Sequence, residues 1–139
     1  MSKFLKIGVI GGAGPMASVF LCQKIFSLCQ KHYNSCDYSD FPEVVLISYP
    51  FTRGDAYLIQ KDLQDLEKRL LNEGVDVFCI ASHSFHGYFK PITTLKFLSL
   101  ADLTYSKLKN KSTPLVLAAQ TTNGVNLSIS KLSYIHDVA

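Results

Sequence analysis

An apolar strand that runs straight into a glycine turn and out into a helix leaves few folds open to a chain. Residues Lys6-Ile7-Gly8-Val9-Ile10-Gly11-Gly12-Ala13-Gly14-Pro15-Met16-Ala17-Ser18 have this form. Ile7, Val9 and Ile10 favour extended backbone, and the glycines accept the positive φ of a sharp turn. The start of such a helix carries unpaired N–H groups and the positive end of the macrodipole, which together attract a carboxylate or a phosphate. The segment predicts the anion-accepting edge of an α/β sheet.

The rest of the chain repeats the alternation. Apolar runs at 4–10, 44–49, 75–81 and 114–119 read as strands; helical periodicity spans 16–33, 56–73 and 97–109, with a helical turn near 85–92. The expected fold is α/β, a three-layer, mostly parallel sheet flanked by helices. In the second helix Ile59, Leu63, Leu66 and Leu70 mark the buried face, Asp55 can cap the start, Gly74 can end it, and Asp65 and Arg69 form an i,i+4 pair. Cys22, Cys29 and Cys36 recur every seven residues, about 10.5 Å apart on one helix, too far for a disulfide or shared zinc. They read as small apolar residues on a buried helix face, and Cys79 as core.

A length of 139 residues suits a single core, and 47% hydrophobic with 18% charged residues describes a globular chain. The net charge of +3 is small and scattered, with Lys107, Lys109 and Lys111 as the one basic cluster, so no nucleic-acid partner is expected. No apolar run reaches membrane-spanning length, and Gly11, Gly12, Gly14 and Pro15 interrupt any signal-peptide reading of residues 3–22. No membrane partner, a cytoplasmic location and no metal are the expectations.

Gly12-Ala13-Gly14-Pro15-Met16-Ala17 formally fits a dinucleotide fingerprint. Two features argue against a nucleotide cofactor: Pro15 removes a donor where a pyrophosphate needs one, and the strand at 44–49 ends in Pro50 without an acidic residue for a ribose. A turn with only a packing role is the other reading. Ligands of parallel sheets collect beyond the carboxyl ends of the strands, here at Gly11–Ala17, Pro50–Asp55, Ser82–His86 and Ala119–Gly124. All four segments are rich in hydroxyls, glycine, imidazole or guanidinium.

The glycine segment, followed by Asp40-Phe41-Pro42-Glu43-Val44-Val45-Leu46 through Pro50-Phe51, resembles the cofactor-independent aspartate/glutamate racemase family. The resemblance covers nearly the whole chain and weakens past Pro114, where Leu117-Ala118-Ala119-Gln120-Thr121-Thr122 is similar to the opening of that family's second lobe. It implies a first lobe over 1–112 and the start of a shortened second lobe over 113–139. That family inverts an acidic amino acid with two cysteines on opposite faces of the substrate Cα, and its first cysteine lies in a Pro-Cys-Asn-Thr-Ala-His segment. Ala81-Ser82-His83-Ser84-Phe85-His86 matches it here: Ser82 stands for the cysteine, His83 for the asparagine, Ser84 for the threonine, and His86 for the histidine.

The resemblance thus implies catalytic positions at Ser82 and His86 and substrate-binding positions at Gly12, Gly14, Arg53, His83, Ser84 and Thr122. Arg53 suits a carboxylate because a guanidinium donates two parallel hydrogen bonds. No cofactor is implied, and the partners are a small acidic amino acid or other carboxylate and a second copy in a homodimer. A serine hydroxyl is a far weaker base than a thiolate, and the family's second cysteine segment has no counterpart before Ala139. Weak or absent racemase activity is therefore expected. The alternatives are a non-catalytic carboxylate-binding or interaction module, and a Ser–His hydrolase, which would need an oxyanion hole.

Overall fold

In the computed structural model, residues 4–52, 54–108, 116–118 and 135–137 are described. Strand β1 (Ile7–Gly11) lies at the centre of a four-stranded sheet, between β2 (Val44–Ser48) and β3 (Val77–Ile80), and β4 (Lys96–Phe97) lies outside β3. Every pairing is parallel, with Val9 opposite Leu46 on one side and Cys79 on the other. Helix α1 (Pro15–Tyr33) connects β1 to β2, α2 (Ala56–Asn72) connects β2 to β3, and α3 (Leu100–Leu108) follows β4.

Alternation along the strands makes the layers. Ile10, Phe78 and Ile80 face α2 and pack with Ile59, Leu63, Leu66 and Leu70, together with Phe89 and Leu95. Val9, Cys79 and Ala81 face the other way, against Leu21, Cys22 and Ile25 of α1 and Leu100 of α3. The α/β layering read from the sequence is present, and so is the predicted stripe of α2. Asp55 caps α2 by accepting from the N–H groups of Tyr57 and Leu58. Gly74, at φ 68°, ends the helix in a conformation costly for any side chain.

Four details differ from the sequence reading. The fourth strand of the main sheet is β4, which ends at Phe97, the residue read as the start of a helix; two residues are too few to show any periodicity. The run at 114–119 forms β5 (Val116–Ala118), which pairs in parallel with β6 (Ile135–Asp137) in a separate two-stranded sheet. Cys36 lies beyond the end of α1 and is exposed, so the seven-residue spacing is not one helix face. Asp65 pairs with Lys68 at 3.3 Å instead of Arg69, since positions three and four apart are both neighbours on a helix.

Glu67 holds β4 in place. This fully buried carboxylate on α2 accepts from the N–H groups of Ile92 and Thr93, both at 3.0 Å, and from the Thr93 hydroxyl at 2.7 Å. The Thr93 hydroxyl oxygen in turn accepts from the Leu95 N–H. A buried charge with three donors is satisfied, and the loop feeding β4 is tied to the helix beneath it. No helix among the described residues is long and apolar enough to cross a membrane.

Candidate functional site

Three of the four polar segments meet at the carboxyl edge of the sheet. Gly12, at φ 113°, lies so close to the backbone of Tyr49 that a Cβ there would overlap the Tyr49 carbonyl. The Tyr49 N–H donates to the Gly11 carbonyl at 3.0 Å, closing the first loop onto the second. From β3 the chain continues with the Ala81 N–H donating to the Ile10 carbonyl, then turns through Ser82 into a short 3₁₀ segment, Ser84–Gly87. Between these loops is a cavity of about 580 Å³, within the range of small-molecule sites. Gly12 and Ala13 line it from the first loop, Phe51, Thr52 and Gly54 from the second, Ile59 from α2, and Ser82, Ser84, Phe85 and Tyr88 from the third.

Thr52, Ser82, Ser84 and Tyr88 bring hydroxyls to this lining, and Ser82 and Ser84 form a pair. Ser82 Oγ and Ser84 Oγ are 3.2 Å apart, so one donates to the other and one hydrogen remains for a third group. His86 does not reach toward that pair. Its Nδ1 lies 2.7 Å from the Ser82 carbonyl, which only accepts, and its Nε2 lies 3.0 Å from the Leu100 N–H, which only donates. The proton is therefore on Nδ1, and the Nε2 lone pair is engaged. Burial is the largest influence on this imidazole and pushes its pKa below the ordinary histidine value; the Ser82 carbonyl partly opposes that. His86 is thus a neutral ring joining the third loop to the start of α3.

His83 makes a second link to α3. Its Nε2 lies 3.1 Å from Thr104 Oγ1, whose hydroxyl donates to the Leu100 carbonyl at 2.7 Å, so the imidazole N–H is the donor to the threonine oxygen. The ring is exposed and does not line the cavity.

Of the positions named from the sequence, Gly12, Ser82 and Ser84 are brought together around the cavity. Gly14 is the N-cap residue of α1, in extended conformation, and is not among the lining residues. Arg53 and Thr122 lie outside the described residues. No cysteine lines the cavity. Cys79 faces the α1 side of the sheet, and burial, with a smaller contribution from nearby Cys22, pushes its thiol up to about 11. Among the described residues, no group of three or more histidine, cysteine, aspartate or glutamate side chains is placed to hold a metal ion.

Sequence reasoning missed the aromatic wall. Phe51 and Phe85 stand edge to face with ring centroids 4.8 Å apart, and Phe85 and Tyr88 are related in the same way at 6.1 Å. The only signal available was position: Phe51 follows the Pro50 that ends a strand, and Phe85 and Tyr88 sit three apart beside the serines.

No protein-family model and no curated protein matches this sequence. The solved structures similar to the chain include the following two. One is an aspartate racemase homologue from Pyrococcus horikoshii OT3, with a TM-score of 0.68 and 16% identity, covering 98% of this chain and 65% of that one. The other is an aspartate racemase of Picrophilus torridus, with a TM-score of 0.66 and 24% identity, covering 96% and 62% respectively. The chain therefore spans less than two-thirds of either neighbour's length. At these identities the similarity establishes a shared fold.

Proposed function

We propose that the cavity binds a small carboxylate of amino-acid type, and that any racemisation it supports is cofactor-independent and weak. The observation that carries this reading is the position of the Ser82–Ser84 hydroxyl pair. It lines a cavity at the carboxyl edge of a racemase-like sheet, where the resemblance puts the first catalytic thiol. A hydroxyl there can hydrogen-bond a ligand oxygen, but it is a poor acceptor for an α-proton at neutral pH unless a base activates it. The nearest candidate base, His86, has its lone pair on the Leu100 N–H, so Ser82 is a binding group in this proposal and His86 a positioning one. A Ser–His hydrolase has no support in this arrangement, because neither imidazole is bonded to the Ser82 hydroxyl.

Residues 1–112 form the first lobe in this reading, residues 113–139 open a second, and the working unit is a cytoplasmic homodimer. Deuterium exchange tests the chemistry. Incubated in heavy water with amino acids, the purified protein is expected to bind ligand in a thermal-shift assay while incorporating little deuterium at Cα. Ser82→Cys, which puts a thiol into the cavity, is expected to raise exchange at one face without full inversion. Ordinary racemase turnover by the unmodified protein, tracking its concentration through purification, would overturn the weak-activity reading. Absence of any carboxylate binding would overturn the whole proposal.

A further inference from the structure

The cavity lining has an aromatic part that the carboxylate reading does not use. Besides the Ser82–Ser84 pair, the cavity is lined by Phe51, Ile59, Phe85 and Tyr88. Ile59 is buried, whereas Phe51, Phe85 and Tyr88 pack against the core beneath while remaining only partly buried. The rings brace one another edge to face, an arrangement that fixes them before any ligand arrives. Partly buried, pre-arranged aromatic side chains around a cavity of about 580 Å³ gain most from a ligand that covers them with apolar surface. A second carboxylate placed against the rings of Phe51 and Phe85 would lose water without gaining a partner from them.

We propose that the preferred ligands are carboxylates carrying an apolar or aromatic group, with the carboxylate toward Ser82 and Ser84 and the apolar group against Phe51, Phe85 and Tyr88. This inference rests on the carboxylate reading above and adds the substituent. Phe85 is its central specificity residue, since it touches both other rings.

The test is a calorimetric binding panel on the full chain: 3-phenylpropionate and both enantiomers of phenylalanine against succinate and both enantiomers of aspartate, with 3-phenylpropanol as the uncharged control. The aromatic carboxylates are expected to bind at least tenfold more tightly than the dicarboxylates. Phe85→Leu, which keeps an apolar side chain at this position, is expected to reduce that preference severalfold without altering the circular dichroism spectrum. Equal or tighter binding of succinate or aspartate would overturn the inference and leave the carboxylate reading standing. Equal binding of 3-phenylpropanol would overturn the carboxylate reading, and with it this inference. A preference unchanged in a folded Phe85→Leu protein would remove the aromatic wall as its source.

Discussion

His86 offers the most direct test of how the cavity is held together. Substitution by alanine removes two hydrogen bonds, one donated to the Ser82 carbonyl and one accepted from the Leu100 N–H. Each loss leaves a partly buried backbone group without its partner, at about 1.5 kcal/mol apiece. The ring also packs on Phe97 with centroids 5.5 Å apart, and losing that contact costs about 1 kcal/mol more. The expected destabilisation is about 4 kcal/mol, a large share of a domain's usual total of about 5–15 kcal/mol. Urea titration followed by far-UV circular dichroism at pH 8 measures it.

The same residue predicts a pH dependence. Its folded pKa is depressed, chiefly by burial, with His83 lowering it further and the Ser82 carbonyl and Asp102 acting against. The unfolded chain therefore takes up the proton first. The stability associated with neutral His86 is complete above about pH 6.5, the ordinary histidine value, and is lost as pH falls through the lower folded pKa. The gap between the wild-type protein and His86→Ala should narrow in acid. A loss below about 1 kcal/mol at pH 8, or a gap that stays constant down to pH 5, would refute the assignment of His86 as a neutral two-way bridge.

Other expected outcomes test the surrounding frame. Gly12→Ala forces a Cβ onto the Tyr49 carbonyl at a φ of 113°, and a loss of about 3 kcal/mol or more in the urea midpoint analysis is expected. Glu67→Gln turns an amide donor toward the Ile92 or Thr93 N–H, so destabilisation of about 2–3 kcal/mol is expected; a neutral result would mean the 92–95 loop is held by other contacts. In the native protein a maleimide should label exposed Cys36 rapidly and spare Cys79, which mass spectrometry of the digested protein can report.

Much of the frame was legible in the residues. Ile59, Leu63, Leu66 and Leu70 keep strict helical spacing, and Asp55 and Gly74 bracket that run, so local propensity and burial agree and leave little choice. The three strands before residue 81 and the glycine turn were legible for the same reason: each is a short-range pattern, written in consecutive residues. The polar segments at the sheet edge followed from the direction in which parallel strands run. What could not be read is whatever depends on partners distant in sequence. β4 exists because Glu67 on α2 holds the loop before it and because Phe78 offers Phe97 a place to pack, not because Lys96 and Phe97 favour extended backbone. The run near 114–119 kept its strand character, yet its partner lies some twenty residues onward, outside the main sheet.

The same division runs through the site. A motif match put Ser82, His83, Ser84 and His86 side by side as functional residues, but sequence adjacency says nothing about which lone pairs remain free. The sequence by itself determined the alternation of elements, the α2 core stripe, and the gathering of polar segments at one edge of the sheet. Only the tertiary structure decided that Ser82 and Ser84 face the cavity while His86 turns its lone pair to Leu100. It also decided that Phe51, Phe85 and Tyr88 close into one wall. Hydrogen-bond partners and ring contacts are fixed by packing between elements, and that packing appears only when the strands are laid side by side.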